Sequence, residues 1–158
     1  ETRPGAGTRV SVYLPIHPIP PAPATSTPDE AEGAAPGETI LLVEDEPALL
    51  RLTARLLGSL GYTVLTAESP EAAIRLVQET RSNIDLMVSD MMMPGMNGLD
   101  LLAHLQDLRP AMRCLFVSGY SAEAVVGGGA LPPFVLLQKP YTREALAAKV
   151  REVLAQQR

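Results

Sequence analysis

The sequence predicts an α/β protein in which a five-stranded parallel sheet carries helices on both faces. From residue 38 onward, short apolar segments alternate with longer segments whose apolar residues recur at helical spacing. The first short segment is a continuous apolar run, as expected of a strand that is buried on both faces. Strands that alternate with helices in this way form parallel sheets with right-handed crossovers.

Five segments are predicted to form the strands of this sheet. The first, third and fourth are strongly apolar, and all five end shortly before a polar or turn-forming residue. The predicted strands are Thr39–Val43, 62–67, 84–89, Arg113–Ser118 and 134–138. Few topologies satisfy the crossover rule, and we predict a doubly wound, flavodoxin-like (βα)5 sheet with strand order 2-1-3-4-5.

The helix predictions depend on apolar spacing and on boundary residues. Pro47 suits the first turn of a helix, and Gly61 ends the apolar stripe that follows. Ser69 and Thr142 are predicted N-caps of later helices, and a short helix is predicted at 121–126. The apolar residues of the four longer predicted helices are Leu50, Ala54, Leu57 and Leu60, then Ala73, Ile74 and Val77 as a buried side, then Leu101, Leu102, Leu105 and Leu108, and finally the stripe of Leu146, Val150, Val153 and Leu154.

Composition limits the classes of function. The 158 residues suit one domain with an attached segment, and 46% are hydrophobic, which is ample for one core. A net charge of −5 argues against a nucleic-acid-binding surface. No apolar run approaches the ~20 residues of a membrane span, so we expect no direct membrane contact. The single cysteine excludes an internal disulfide and fits a reducing compartment.

A proline-rich segment precedes the predicted domain. Seven of the 15 prolines lie between residues 14 and 37. Such a segment buries too little apolar surface to offset the entropy lost on ordering. We therefore interpret 17–37 as a linker and 38–158 as the folded domain.

Polar side chains lie at the carboxyl ends of four of the predicted strands. Glu44 and Asp45 follow the first strand, Asp90 the third and Lys139 the fifth, while Ser118 ends the fourth. Carboxylates on neighbouring strands repel each other unless a cation lies between them, and oxygen ligands favour magnesium or calcium. A lysine and a hydroxyl would stabilise a transferred phosphoryl group. This set predicts attack by a carboxylate oxygen on phosphorus to give an aspartyl phosphate.

Four sequence blocks around these residues resemble the signature blocks of two-component receiver domains. They are Val-Glu-Asp-Glu ending at Glu46, Ser-Asp-Met-Met-Met-Pro-Gly-Met-Asn-Gly ending at Gly98, Val-Ser-Gly ending at Gly119, and Gln-Lys-Pro ending at Pro140. They occur in the order found in that family. The resemblance therefore covers 38–158.

The resemblance implies a role for each matched residue. Asp90 resembles the phosphorylated aspartate, Ser118 the hydroxyl residue that moves toward the phosphoryl group, and Lys139 the lysine that contacts it. The implied ligands of one Mg²⁺ ion are Asp45, Asp90, Glu44 (directly or through water) and the backbone carbonyl of Met92. The implied partner is the dimerisation and phosphotransfer domain of a histidine kinase, or a histidine phosphotransfer protein, in the bacterial cytoplasm.

Three positions modify this expectation. Leu136 occupies a position that is aromatic in many receivers, so a tyrosine-type rotamer switch is not expected there. Met92 and Tyr120 occupy positions that flank the path of the hydrolytic water in this family. Because one is apolar and the other bulky, we predict slow self-dephosphorylation.

The first residues carry a second, shorter resemblance. The segment 5–15 resembles the last glycine box and final strand of a histidine-kinase ATP-binding domain, and a disordered tail is the alternative. Because the chain starts with Glu, we interpret it as part of a longer protein, with 1–16 the end of such a domain. The parent would be a hybrid sensor kinase. The segment itself is not a kinase and is not expected to bind ATP.

Two other functions compete with phosphoryl acceptance. A degenerate receiver would act only as a protein-interaction module, but the acids, hydroxyl and lysine are all present. A phosphatase with an aspartyl-phosphate intermediate usually needs a second acid two residues after the nucleophile. That position is Met92, which argues against a phosphatase.

Overall fold

The computed structural model describes residues 2–3, 7–8, 37–119 and 134–156. Five parallel strands form a sheet in the order β2-β1-β3-β4-β5, so the predicted fold class and strand order are confirmed. The strands are β1 Thr39–Val43, β2 Thr63–Ala67, β3 Leu86–Asp90, β4 Arg113–Ser118 and β5 Val135–Gln138. The helices of the described residues are α1 Pro47–Ser59, α2 Pro70–Glu79, α3 Gly98–Leu108 and α4 Arg143–Ala155.

The helix boundaries follow from capping chemistry. The Ser69 side chain accepts a hydrogen bond from the Ala72 N–H, and the Thr142 side chain does the same for Ala145, so both predicted caps are confirmed. Asn97 caps α3 in the same manner. α1 ends before Gly61, whose φ of 95° is the left-handed conformation that favours glycine.

The sheet separates two apolar layers, as alternation along each strand requires. Ile40 and Leu42 pack with α1 and α4 on one face, whereas Leu41 and Val43 pack with α2 and α3 on the other. The predicted stripe of α1 needs one correction. Thr53 is buried at 3% exposure, while Ala54 is only partly buried, because the buried face of α1 is centred on Leu50, Thr53 and Leu57.

The N-terminal residues contribute a separate pairing. Thr2–Arg3 and Gly7–Thr8 form two short antiparallel strands. The strand that the sequence predicts after Thr8, and the short helix at 121–126, lie outside the described residues. Within the described part of the chain, none of the helices has the length and apolar character that crossing a bilayer demands.

Candidate functional site

The carboxyl ends of the sheet strands bring the predicted site residues to one edge. Strand register pairs Val43 with Ser89 and Asp90 with Val117, so the residues after β1 lie beside the end of β3. On the other side, Ser118 pairs with Gln138, the residue before Lys139. Residues far apart in sequence therefore converge because their strands are parallel and in register.

Lys139 forms the central contact of the site. Its Nζ lies 2.6 Å from Asp90 Oδ2 and 2.8 Å from Glu44 Oε2. Both carboxylates are largely buried, with side-chain exposures of 13% for Asp90 and 8% for Glu44. The ammonium group therefore joins the acids of two neighbouring strands in a partly desolvated setting, where charge-assisted hydrogen bonds are strong.

Burial and the opposite charge nearby have opposing effects on the pKa of Glu44 and on that of Lys139. Burial raises the pKa of the Glu44 carboxyl above its usual range, although Lys139 opposes that shift. Burial tends to lower the pKa of Lys139, but its hydrogen bonds to Asp90 and Glu44 and the charges of both acids raise it overall. Lys139 is therefore a cation throughout the neutral range.

Three carboxylates offer a site for a hard cation. Glu44, Asp45 and Asp90 each present an oxygen, and these oxygens lie within 4.8 Å of one another. Glu44 is buried and Asp45 exposed, so one side of the cluster faces solvent. All-oxygen donors open to water suit Mg²⁺, which usually retains several waters. The donor set therefore fits the metal that the sequence predicts.

The loop after β3 contributes a hydrogen bond to the Asp90 oxygen that Lys139 does not contact. The Met92 N–H donates to Asp90 Oδ1 at 2.9 Å, so both carboxylate oxygens have donors. Met91 and Met93 are buried, whereas Met92 is 62% exposed beside the site. The Met92 backbone thus lies against Asp90, where its carbonyl is predicted to serve as a metal ligand.

Gly98 closes this loop onto Asp90. Its N–H donates to the Met91 carbonyl at 3.0 Å. A Cβ at this position would lie 2.6 Å from the Asp90 carbonyl oxygen and 3.0 Å from the Phe116 ring. Only glycine allows the start of α3 to approach the end of β3 this closely.

Ser118 is the last residue of β4, and Leu136 lies on β5, three residues before Lys139. Ser118 is fully buried, and its carbonyl accepts the Lys139 N–H at 2.7 Å. Leu136 is partly buried in the α2 and α3 layer, to which Phe134 also belongs. Tyr120 lies outside the described residues, so the slow-dephosphorylation hypothesis stays a prediction.

One polar pair near Lys139 was not predicted from the sequence. The Tyr141 hydroxyl lies 3.0 Å from Thr53 Oγ1, which joins the segment after β5 to α1. Both residues line a groove of about 440 Å³ together with Leu49, Leu52, Leu56, Lys139 and Pro140. Thr53 stands among leucines on the buried side of α1. A hydroxyl buried there indicates a hydrogen-bond partner, because buried polar groups are nearly always hydrogen-bonded.

Comparisons with known proteins agree with this geometry. The family model for the response regulator receiver domain matches residues 40–151. Sensor kinase CckA of Brucella abortus (strain 2308) is 35% identical over 163 residues, covering 97% of this chain and 17% of that protein. Transcriptional regulatory protein GlrR of Escherichia coli (strain K12) is 35% identical over 118 residues, covering 74% of this chain and 26% of that protein.

Solved structures with the same fold include individual receiver domains. The receiver domain from hybrid histidine kinase CckA is 36% identical with a TM-score of 0.62, covering 73% of this chain and 98% of that one. A response regulator receiver domain protein from Clostridium thermocellum is 30% identical with a TM-score of 0.63, covering 74% and 94%. The chain spans only 17% and 26% of the two curated relatives above, so the similarity concerns one domain of each.

Proposed function

We propose that this chain, which belongs to the response regulator receiver domain family, takes a phosphoryl group from a phosphohistidine onto Asp90 with the help of Mg²⁺. Family membership makes it a phosphoacceptor domain of two-component signalling. The observation that carries the assignment to Asp90 is the position of Lys139, 2.6 Å from the Asp90 carboxylate and 2.8 Å from Glu44.

In the proposed step an oxygen of the Asp90 carboxylate attacks phosphorus. A P–O bond forms while the P–N bond to the donor histidine breaks, and its electron pair stays on the ring nitrogen. An imidazole protonated at its other nitrogen then leaves as neutral histidine, so no further proton transfer is needed.

The chain's own groups hold the acceptor and stabilise charge. The Met92 N–H and Lys139 contact the two Asp90 oxygens and fix the plane of the carboxylate. Glu44, Asp45 and Asp90 would hold the metal, together with the predicted Met92 carbonyl. Held by these residues, Mg²⁺ would supply positive charge that stabilises the phosphoryl oxygens.

The proposed context is a hybrid sensor kinase. The alignment with the sensor kinase CckA covers 97% of this chain, so it includes residues before the receiver domain. This supports 1–16 as the end of an ATP-binding domain and 17–37 as the linker. We propose a bacterial cytoplasmic setting, with a kinase phosphotransfer domain or a histidine phosphotransfer protein as partner and no nucleic-acid ligand.

The test uses the intact chain and a small phosphodonor. The protein is incubated with acetyl phosphate, with Mg²⁺ or with a chelator, and its intact mass is measured. Asp90→Asn removes the acceptor. Asp107→Asn, at an exposed position on α3, is the matched control.

We expect a gain of one phosphoryl group that requires Mg²⁺, occurs in Asp107→Asn and is absent in Asp90→Asn. If the folded wild-type chain gains no mass under any condition, phosphoryl acceptance is wrong. The protein-interaction module would then be the better explanation of the fold.

A further inference from the structure

A hydrogen bond links α1 to the segment that follows Lys139. The Tyr141 hydroxyl and Thr53 Oγ1 lie 3.0 Å apart, although the residues are 88 positions apart in sequence. Thr53 is 3% exposed and lies between Leu50 and Leu57 on the buried face of α1. The hydroxyl pair therefore satisfies polar groups that would be costly to bury alone.

The two segments that this bond joins carry the opposite charges of the site. α1 begins at Pro47, and Glu44 and Asp45 lie just before its N-cap, Glu46. Tyr141 lies two residues after Lys139, whose Nζ contacts Glu44 at 2.8 Å. The same two segments are thus linked twice, once by an ion pair inside the site and once by a hydrogen bond beside it.

Phosphoryl transfer affects these two links differently. An incoming phosphoryl group competes with Glu44 for the Lys139 ammonium, so the ion pair weakens as the transfer proceeds. The Thr53–Tyr141 bond involves neither charge and can persist. The Lys139 backbone is held from the other side by its N–H bond to the Ser118 carbonyl at 2.7 Å.

We infer that Thr53 and Tyr141 are positioning residues for Lys139. Their hydrogen bond holds the 139–141 segment against α1 while the Lys139 side chain changes partner from Glu44 to the phosphoryl oxygens. The inference rests on the function proposed above. It adds to that function a residue pair outside the acidic site that sets how fast Asp90 accepts phosphate.

The competing explanation is that the pair only stabilises the fold. Both explanations predict a lower free energy of unfolding when a hydroxyl is removed. They differ in the rate constant of phosphorylation of the folded protein, because only a positioning role makes that rate depend on the hydroxyl pair through Lys139.

The experiment measures that rate constant with acetyl phosphate at saturating Mg²⁺. The variants are Tyr141→Phe, Thr53→Val, their combination, and Thr53→Ser, which keeps the hydroxyl. Tyr141→Phe is also made in a Lys139→Met chain. Tyr62→Phe is the matched control, because it removes a buried phenol hydroxyl just before β2, at the opposite edge of the sheet. Urea unfolding confirms that each variant is folded.

We expect Tyr141→Phe and Thr53→Val each to slow phosphorylation by about three- to tenfold, the effect of losing one hydrogen bond. The double variant should be no slower than either single one, and Tyr141→Phe should have no further effect without Lys139. Thr53→Ser and Tyr62→Phe should keep the wild-type rate.

Two results would overturn the inference. Wild-type rates in folded Tyr141→Phe and Thr53→Val, with only the unfolding midpoint lowered, would leave the pair a structural role alone. A slow Tyr141→Phe whose effect is undiminished in the Lys139→Met chain would show that Tyr141 acts on something other than Lys139. A wild-type chain that accepts no phosphate would contradict the proposed function itself, a result distinct from both.

Discussion

Lys139 determines the charge balance among three acidic side chains. Its ammonium contacts Asp90 and Glu44, and Asp45 lies in the same carboxylate cluster. Two buried acids this close would repel each other if no cation lay between them. The lysine therefore offsets the negative charge of both acids and holds the Asp90 carboxylate, the group proposed to attack phosphorus, close to Glu44.

Replacing Lys139 by Met should slow phosphorylation of Asp90 by about 10²- to 10³-fold, the usual effect of losing a charge-stabilising donor. The rate is measured by intact mass with acetyl phosphate and Mg²⁺. Lys149→Met is the control, because Lys149 also forms an ion pair, with Glu152 at 2.7 Å, but on the surface of α4. Equal rates in the two variants would contradict the role assigned to Lys139.

Gly98 is the first residue of α3, and it packs against the last residue of β3. A Cβ there would lie 2.6 Å from the Asp90 carbonyl. Gly98→Ala should therefore lower the free energy of unfolding by about 1–3 kcal/mol, the usual cost of overpacking. Urea unfolding measures the change.

Gly58→Ala provides the opposite control. Gly58 lies in α1 with nothing within 4 Å of an added Cβ. Alanine there should raise the free energy of unfolding by up to about 1 kcal/mol, because helical glycine is entropically costly. A Gly98→Ala chain as stable as Gly58→Ala would show that the loop after β3 has room to move.

At the scale of elements, Arg109 joins α3 to the end of α2. Its Nη2 donates to the Thr80 carbonyl at 2.7 Å, at the C-cap of α2. Its Nε is buried without a hydrogen-bond partner among the described residues. The guanidinium thus donates a hydrogen bond to a carbonyl at the end of α2, where backbone carbonyls have no intrahelical donor.

Arg109→Met should lower the free energy of unfolding by about 1–3 kcal/mol, because a charged donor to a partly buried carbonyl is lost. Arg55→Met, at an exposed position on α1, should change stability by less than about 0.5 kcal/mol. Chemical denaturation compares the two. Similar losses in both variants would mean that the Arg109 contact contributes little.

The elements themselves were predictable from local signals. Thr39–Val43 and Arg113–Ser118 form strands with the predicted bounds, since continuous apolar runs mark buried strands. The strands predicted at 62, 84 and 134 begin one or two residues later, at Thr63, Leu86 and Val135. Ile84 is buried but precedes the hydrogen-bonded ladder, a distinction that hydrophobicity does not make.

The sequence predicted which residues form the site, but not the contacts between them. Parallel strands place Glu44, Asp90 and Lys139 at one edge, and the sequence indicates as much. The contact of one lysine with two acids depends on distances between separate strands. The Thr53–Tyr141 bond likewise joins residues 88 positions apart, beyond the reach of any local pattern.

Across the surface of the whole molecule, exposed apolar side chains lie around the site, where the protein donor proposed above would bind. Leu52 is 55% exposed and lines the groove that Lys139 and Tyr141 also line. Met92, beside Asp90, is 62% exposed. Exposed apolar side chains around a charged site are typical of protein-binding surfaces.

Leu52→Glu should slow phosphoryl transfer from a phosphorylated histidine phosphotransfer domain by about tenfold or more, since it would place a charge in the surface proposed to contact that donor. The rate with acetyl phosphate should not change, because that donor needs no such surface. Leu108→Glu is the control: Leu108 is 43% exposed at the far end of α3. Equal effects of Leu52→Glu on both donors would contradict a protein-docking role for this face.

The proposed function requires that Asp90 is the residue that carries the phosphoryl group. The direct measurement is to phosphorylate the intact chain, reduce it with borohydride, and locate the reduced residue by tandem mass spectrometry. Borohydride converts an aspartyl phosphate to homoserine and leaves free aspartate unchanged. We expect homoserine at position 90, dependent on Mg²⁺. Homoserine at position 45 or at another aspartate, with aspartate intact at 90, would contradict it.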